Sequence, residues 1–400
     1  MRILHVLPYL DQRKGGPVRA VLDLSAAALQ LGLDNEVVGI GALNVPDNPL
    51  PEENIHSMSG PYGGSYAYSR ELAPWLDRNL SKFDGAVVHG AWSYPGWATA
   101  RACWQHRIPY AAFPHGMLEP WAVNGQGFLK SWKKKVYWHY RERKVFDRAR
   151  RVFFTTEKEQ SLANQLFAFP AQQSILPPYG MEVHERVLAP EHAELAQTEG
   201  LRVALFLSRL HPKKNLEFLI RCWHAAELRD TWRLVIAGPA EPAYLRSLQD
   251  LARQLGICGQ IQFVGFVAGK DRAYLFSRAD WFLLPSKQEN FGIAVLEAVA
   301  SGCAVAISDR VYLAESFRPE SEVLPLDESH WVDFFKNRMV DSGWRDKTAH
   351  EDRVHLTHQF ETSRVAESWV RELTMAFGPA GYDAPRKRAS GSCSPSEGKR

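Results

Sequence analysis

The sequence predicts an α/β protein made of two Rossmann-like, doubly wound parallel-sheet domains facing each other across a cleft. Three observations carry this expectation. The chain has 400 residues, enough for two domains at roughly 100–200 residues each. Short, near-continuous apolar runs alternate with helical patterns, as strands covered on both faces of a parallel sheet do. The alternation lapses near residue 182 and restarts near 201. An apolar share of 45% and a charged share of 23% are ordinary for a globular protein; they exclude a disordered chain, a coiled coil and a multispan membrane protein.

The first domain is expected over residues 1–185. It opens with a strand at Arg2–Pro8, a turn at Gly15-Gly16-Pro17 and an amphipathic helix from Val18 to Leu31. Further strand-like runs are Glu36–Ile40, Gly85–His89, Tyr110–Phe113, Val152–Thr155 and Ser174–Leu176. Residues 186–200 read as a linker, rich in Glu, Ala and His. The second domain, 201–360, offers strands at Arg202–Leu207, Arg233–Ala237, Ile261–Val264, Trp281–Leu284 and Ala304–Ile307. Its helices are placed at Leu216–Ala226, Pro242–Leu255, Asp271–Arg278 and Ile293–Ala300. A last helix at 361–378 is expected to pack back toward the first domain. The tail 379–400, rich in Pro, Ser, Gly and basic residues, has the composition of a disordered segment.

Five scattered cysteines without a C-x-x-C pair suggest reduced thiols in a cytoplasmic protein. The apolar start runs straight into Asp11 without a small-residue cleavage site, so it reads as a strand and not a signal peptide. Glu297 and the Ser301-Gly302 break argue against a membrane span at Phe291–Ser308.

Two open α/β units in tandem direct ligands to the carboxyl ends of their strands. Two loops of the second domain lie there. Ser208-Arg209-Leu210-His211-Pro212-Lys213-Lys214-Asn215 follows a strand and opens a helix. Its Arg209 and Lys214 suit phosphate oxygens, the first as a fork and the second as a point charge. Pro285-Ser286-Lys287-Gln288-Glu289-Asn290-Phe291-Gly292 leads into a helix whose first N–H groups can hold an anion. Glu297 interrupts that apolar helix, and a carboxylate there must be paired or bonded to a ligand. Taken singly, each loop also reads as a solvated turn, and Glu297 as a structural residue satisfied by a neighbouring arginine.

Together the two loops resemble the retaining glycosyltransferases of family 4, also called group 1. That family shows G/S-R-L-x-x-x-K-G/N and then P-S-x-x-E-x-F-G-x-x-x-x-E-A; this chain reads SRLHPKKN and PSKQENFGIAVLEA. The similarity spans most of residues 1–360 and is dense over 201–310. It implies the GT-B fold and a nucleotide diphosphate sugar as donor. It further implies diphosphate binding by Arg209 and Lys214, and donor-sugar contact by Glu289. The amides of Asn290, Phe291, Gly292 and Ile293 would meet sugar or phosphate, and Glu297 would bond the ribose. Gly15 and Gly16 would let their loop approach the donor, and His115 resembles the histidine that meets the donor sugar near the reaction centre. The run PHGMLEPWA around His115 matches a subgroup associated with bacterial surface polysaccharides. Members commonly act without a bound metal or other cofactor, and no D-x-D motif lies in a suitable loop. His89 is a weaker candidate for the acceptor site; a satisfied strand-end histidine is the other reading. The chain departs from its relatives at Pro177-Pro178-Tyr179-Gly180 and at Cys303-Ala304-Val305.

Net charge is +3, but residues 128–151 alone carry a surplus of eight positive charges. On a helix over 128–148, Lys130, Lys133, Lys134, Tyr137, Arg141, Lys144 and Arg148 fall within an arc of about 100°. Leu129, Trp132, Val136, Tyr140 and Phe146 cluster elsewhere. The cationic arc suits an anionic lipid surface, which gives a cytoplasmic protein peripheral on the inner leaflet of the plasma membrane; the other reading is a solvated face on a helix that docks by its apolar stripe. Nucleic acid is not expected, since no reading motif is present. The full expectation is sugar transfer from a nucleotide diphosphate sugar to a glycan or lipid-linked glycan, in cell-surface polysaccharide (lipopolysaccharide-type) synthesis. A nucleotide-sugar epimerase, or a non-enzymatic nucleotide-sugar-binding protein on the same fold, stays open at this stage.

Overall fold

The structure, a computed structural model, describes residues 1–378 apart from 15, 61–63, 121–122, 124–127, 182–186, 193–194, 196–197, 199 and 229–230. Gly15, much of the expected linker and the 379–400 tail therefore lie outside the described residues.

Strands β1 (Arg2–Leu7), β2 (Asp34–Ile40), β3 (Ile55–Met58), β4 (Gly85–His89), β5 (Tyr110–Phe113), β6 (Arg151–Phe154) and β7 (Gln172–Ile175) form one sheet. Strands β8 (Arg202–Leu207), β9 (Trp232–Ala237), β10 (Ile261–Gly265), β11 (Trp281–Leu284), β12 (Ala304–Ser308) and β13 (Glu322–Leu324) form the second. The orders are β3-β2-β1-β4-β5-β6-β7 and β10-β9-β8-β11-β12-β13. Neighbouring strands run parallel throughout. Each order reverses beside its first strand, between β1 and β4 and between β8 and β11, which is where an open α/β sheet leaves a crevice.

The helices are α1 (Pro17–Gln30), α2 (Leu72–Asn79), α3 (Tyr94–His106), α4 (Phe128–Tyr137), α5 (Arg143–Asp147), α6 (Glu157–Leu166), α7 (Leu216–Ala225), α8 (Pro242–Gln254), α9 (Gly269–Arg278), α10 (Ile293–Ala300), α11 (Glu328–Asp333), α12 (Ser342–Phe360) and α13 (Thr362–Phe377). Central strands such as β4 and β11 are buried along their whole length, hence their unbroken apolar runs. The edge strands β3 and β13 carry no such run, so sequence reading passes over them. The 19-residue α12 also escapes it, because its charges are spread around the helix and it buries only Thr348, Asp352, Leu356 and Phe360.

The chain crosses between the domains twice, side by side. Met181 N–H donates to the carbonyl of Phe360 (2.5 Å). From there α13 returns to the first sheet. Its Val365, Trp369, Leu373 and Phe377 share one core with Ile3, Leu24, Ala28, Val87, Phe113 and Phe153. The Phe377 ring lies where a side chain at Gly85 would begin, which fixes glycine at the start of β4. Arg151 and Glu372 add a partly buried ion pair.

The basic segment differs from the single helix expected. A π-helical turn at Trp138–Glu142 separates α4 from α5 and shifts the register between them. Lys134, Arg141 and Arg148 lie over the rings of Trp92, Trp97 and Trp104, at 5.2, 5.6 and 4.6 Å from the centroids. Three cations of the predicted lipid-facing arc are thus turned onto aromatic faces of the protein, where a cation over a ring is favourable. Trp132 and Tyr140 are turned outward, 58% and 65% exposed, with Val136 beside them, and Lys135, Arg141, Lys144 and Arg148 are exposed as well.

Candidate active site

The loop after β8 places the cations. His211 Nδ1 accepts from the Lys213 N–H at 3.1 Å and caps a short 3-10 turn. Asn215, in the left-handed region at φ 62°, then starts α7. The turn sets Lys213 and Lys214 beside the loop after β11, and a backbone bond from Lys287 N to Lys213 O (2.9 Å) laces the two loops together. Lys214 forms an ion pair with Glu289. Burial, helped by the charges of Lys213 and Arg209, pushes the Lys214 ammonium down to about 7. Arg209 is exposed and forms no ion pair among the described residues. Three cations thus gather on the loop after β8, Lys214 facing Glu289 and Lys213 the charge of Glu119, and such a basic cluster suits an anionic ligand.

The second loop is held from beneath. Ser308 Oγ donates to Ser286 O (2.6 Å), and the Glu289 backbone bonds Arg310 and Tyr312 on the neighbouring segment. Gly292 caps α10 at φ 77°, a conformation that favours glycine. Gly292 thus opens α10 close to Glu289, the partner of Lys214; a Cβ there would stand 3.5 Å from Glu289 Cγ. The Phe291 side chain turns the other way and packs edge-on against Phe360 in the core, so only its backbone faces the site.

Glu297 is bound by a neighbour. It pairs with Arg272 of α9, the partner that an interrupted apolar helix demands. Tyr179, from the segment where the chain departs from its relatives, is partly buried near Glu297 and Arg272, and desolvation raises its hydroxyl well above the ordinary range.

The first domain meets these loops directly. A Cβ at Gly16 would stand 3.2 Å from Ile293 Cδ1, and one at Gly116 would stand 2.9 Å from Asn290. Asn290 reaches across the cleft, with Oδ1 at 2.8 Å from Thr155 Oγ1 and Nδ2 donating to Glu159 Oε2 at 3.3 Å. Tyr312 donates to Glu119 Oε2 at 3.1 Å and accepts from Gln288 Nε2 at 2.7 Å. Burial, then the charge of Glu159, lifts the Glu119 carboxyl to about 8, against Lys213. Sequence reading missed Glu119, Glu159, Lys213 and Tyr312 as members of this centre; PHGMLEPW contained Glu119, but only folding sets it opposite Tyr312.

His115 sits two residues beyond β5 at φ 51°, followed by Gly116 at φ 77°. It lines a cleft pocket with Tyr9, Lys14, Pro17, His89 and Met117. His89 is buried and bonded at both ring nitrogens, to His5 (3.0 Å) and to His115 (2.9 Å). That is the satisfied strand-end histidine, and it stands directly behind His115.

The fold and the site define a two-lobed α/β protein with a basic cluster on the loops of its second domain. The sequence pattern of glycosyl transferases group 1 matches residues 189–325, and that of the glycosyl transferase 4-like domain matches residues 15–179. The chain belongs to the family 4, group 1 glycosyltransferases. It is 33% identical over 265 residues to D-inositol 3-phosphate glycosyltransferase of Mycobacteroides abscessus, covering 62% of this chain and 56% of that one. It is 30% identical over 180 residues to an uncharacterized glycosyltransferase of Methanocaldococcus jannaschii, covering 44% and 45%. The matches span about half the length of these curated relatives. Among solved structures, Anabaena HepE in complex with UDP and glucose superposes with a TM-score of 0.75 at 16% identity, covering 94% of this chain and all of that one. At that identity the likeness concerns the fold.

Proposed function

We propose that this glycosyltransferase transfers a sugar, with retention, from a nucleotide diphosphate sugar to a hydroxyl of a glycan or lipid-linked glycan in cell-surface polysaccharide synthesis. One observation carries the reading: Arg209, Lys213 and Lys214 lie close enough to act on one another's charges, Lys214 pairs with Glu289 just ahead of α10, and Gly16 of the first domain stands against Ile293 in that helix's first turn. The bond from the sugar's anomeric carbon to phosphate breaks, and the acceptor oxygen bonds that carbon on the same face. The acceptor proton passes to a phosphate oxygen of the departing diphosphate, so no side-chain base is needed. The cations and amides neutralise the leaving group, in the preorganised manner that usually supplies the largest share of catalysis. In this reading they take the place of a metal. On donor arrival Glu289 exchanges Lys214 for sugar hydroxyls, and Glu297, held by Arg272, borders the ribose.

Among the described residues no helix is long and apolar enough to cross a membrane. We assign contact with the cytoplasmic leaflet to the outward stripe of Trp132 and Val136 on α4 and Tyr140 in the π-helical turn after it, flanked by Lys135 and Lys144. Aromatic rings seat among headgroups while lysines meet anionic lipid. This moves the lipid-facing surface from the cationic arc to the stripe beside it. Uridine-, guanosine- and adenosine-diphosphate sugars should be titrated against the protein, with and without extracted lipid acceptor. One of them should raise the melting temperature and be consumed only when acceptor is added. Consumption without acceptor would indicate epimerisation or hydrolysis, and no stabilisation by any of the three would remove the reading.

A further inference from the structure

Behind His115 runs a line of buried polar groups that ends in the first sheet. His115 Nε2 lies 2.9 Å from His89 Nδ1, His89 Nε2 lies 3.0 Å from His5 Nδ1, and His5 Nε2 lies 3.2 Å from Asn35 Oδ1. His5, His89 and Asn35 are at most 1% exposed. The rings are held by stacking. Trp369 of α13 lies parallel to His89 and near-parallel to His5, and Phe113 stacks on His115 at 4.0 Å.

The far end sets the direction of every bond. Asn35 Nδ2 donates to two backbone carbonyls, Ser25 O and Leu33 O, both at 3.3 Å. A flipped amide would set oxygen against both carbonyls, so Oδ1 must face His5. An amide oxygen only accepts, so His5 carries its proton on Nε2. Burial lowers His5 to about 4 and His115 to about 3, and places His89 well below its ordinary range, so all three rings are neutral near pH 7. A neutral ring has one N–H. His5 Nδ1 therefore accepts from His89 Nε2–H, and His89 Nδ1 accepts from His115 Nε2–H. His115 Nδ1 is left as a lone pair with no partner among the described residues, on a ring that lines the cleft.

We propose that Asn35, His5 and His89 are positioning residues that lock His115 in its Nε2–H tautomer, so that Nδ1 serves in the cleft as a neutral acceptor for a hydroxyl of the bound sugar. The line is not a proton exit. A proton entering at His115 could leave only through Asn35 Oδ1, which is not basic and is backed by carbonyls. His115 thus accepts a hydrogen bond without acting as a base, in keeping with transfer that returns the acceptor proton to the departing phosphate. The identity of the hydroxyl rests on the nucleotide-sugar reading, whereas the tautomer does not.

The test uses the full chain labelled with 15N-histidine, its rings assigned through His5→Phe, His89→Phe and His115→Asn. Long-range proton–nitrogen correlation at pH 7 should show all three rings protonated on Nε2 and bare on Nδ1. A proton on Nδ1 of His115, or a doubly protonated ring, overturns the lock whether or not the cleft binds nucleotide sugars. His89→Phe keeps the stack on Trp369 but removes the acceptor for His115 Nε2–H. It should yield a mixture of His115 tautomers and lower turnover about tenfold, the scale of one hydrogen bond. Affinity for the free nucleoside diphosphate, which lacks the sugar, should stay unchanged. An equal loss in diphosphate affinity, or unaltered turnover, overturns the positioning role.

Discussion

Lys214 and Glu289 form an ion pair between the two motif loops of the second domain. With its ammonium at about 7, Lys214 is charged below that pH and neutral above it. Affinity for a nucleoside diphosphate should therefore fall as pH rises through 7, and Lys214→Arg should flatten the profile in calorimetric titrations. Arg209→Met or Lys214→Met should lower turnover by about 10²–10³, the cost of removing one preorganised electrostatic group; near wild-type rates in both would remove their assigned role. Glu119 tests a different link. Its folded carboxyl titrates near 8 against an ordinary 4.5, so between those values the folded state binds more protons than the unfolded one, and this group's contribution to stability falls as pH rises. Denaturant unfolding of Glu119→Gln should lose that part of the slope. The motif loops were legible residue by residue because phosphate binding and the left-handed turn at Gly292 demand particular residue types. The partners Arg272, Lys213, Glu159 and Tyr312 were not, since any polar residue brought within reach could have filled those places.

At the scale of elements, α4 and the turn after it show how one extra residue in a helical turn changes a surface. A continuous α-helix predicted a cationic face. The π-turn at 138–142 instead sets Lys134, Arg141 and Arg148 on a ladder of tryptophans from α3 and its preceding loop. The double variant Trp132→Ser/Tyr140→Ser should abolish co-sedimentation with anionic vesicles while leaving the melting temperature within about 2 °C, since exposed substitutions change stability little; undiminished sedimentation would refute lipid contact through this stripe. The loop from β5 to α4 carries a second constraint. Gly116 has φ 77° and stands against Asn290, so Gly116→Ala combines backbone strain of about 1–3 kcal/mol with a wedge in the cleft. Donor KM should rise in that variant and thermal stability should drop.

At the scale of the whole molecule, α13 couples the two halves, because it leaves the second domain at Phe360 and completes the core of the first. Trp369 is 1% exposed and stacks on His5 and His89. Trp369→Ala should cost about 3–5 kcal/mol, and proteolysis should show the loss in residues 1–175 before the second sheet opens. Both sheets were readable from sequence, as were the cleft between them and the loops that line it. Apolar runs, their alternation with helices and the glycine turns are local consequences of burial and backbone sterics. What tertiary structure alone decided is which groups answer one another across long separations: His5 and His89 are 84 residues apart, Thr155 and Asn290 135. Those pairings depend on where two sheets and a returning helix come to rest, and hydrophobic periodicity leaves no trace of them, because a buried hydrogen bond needs only a partner of the right kind at the right distance.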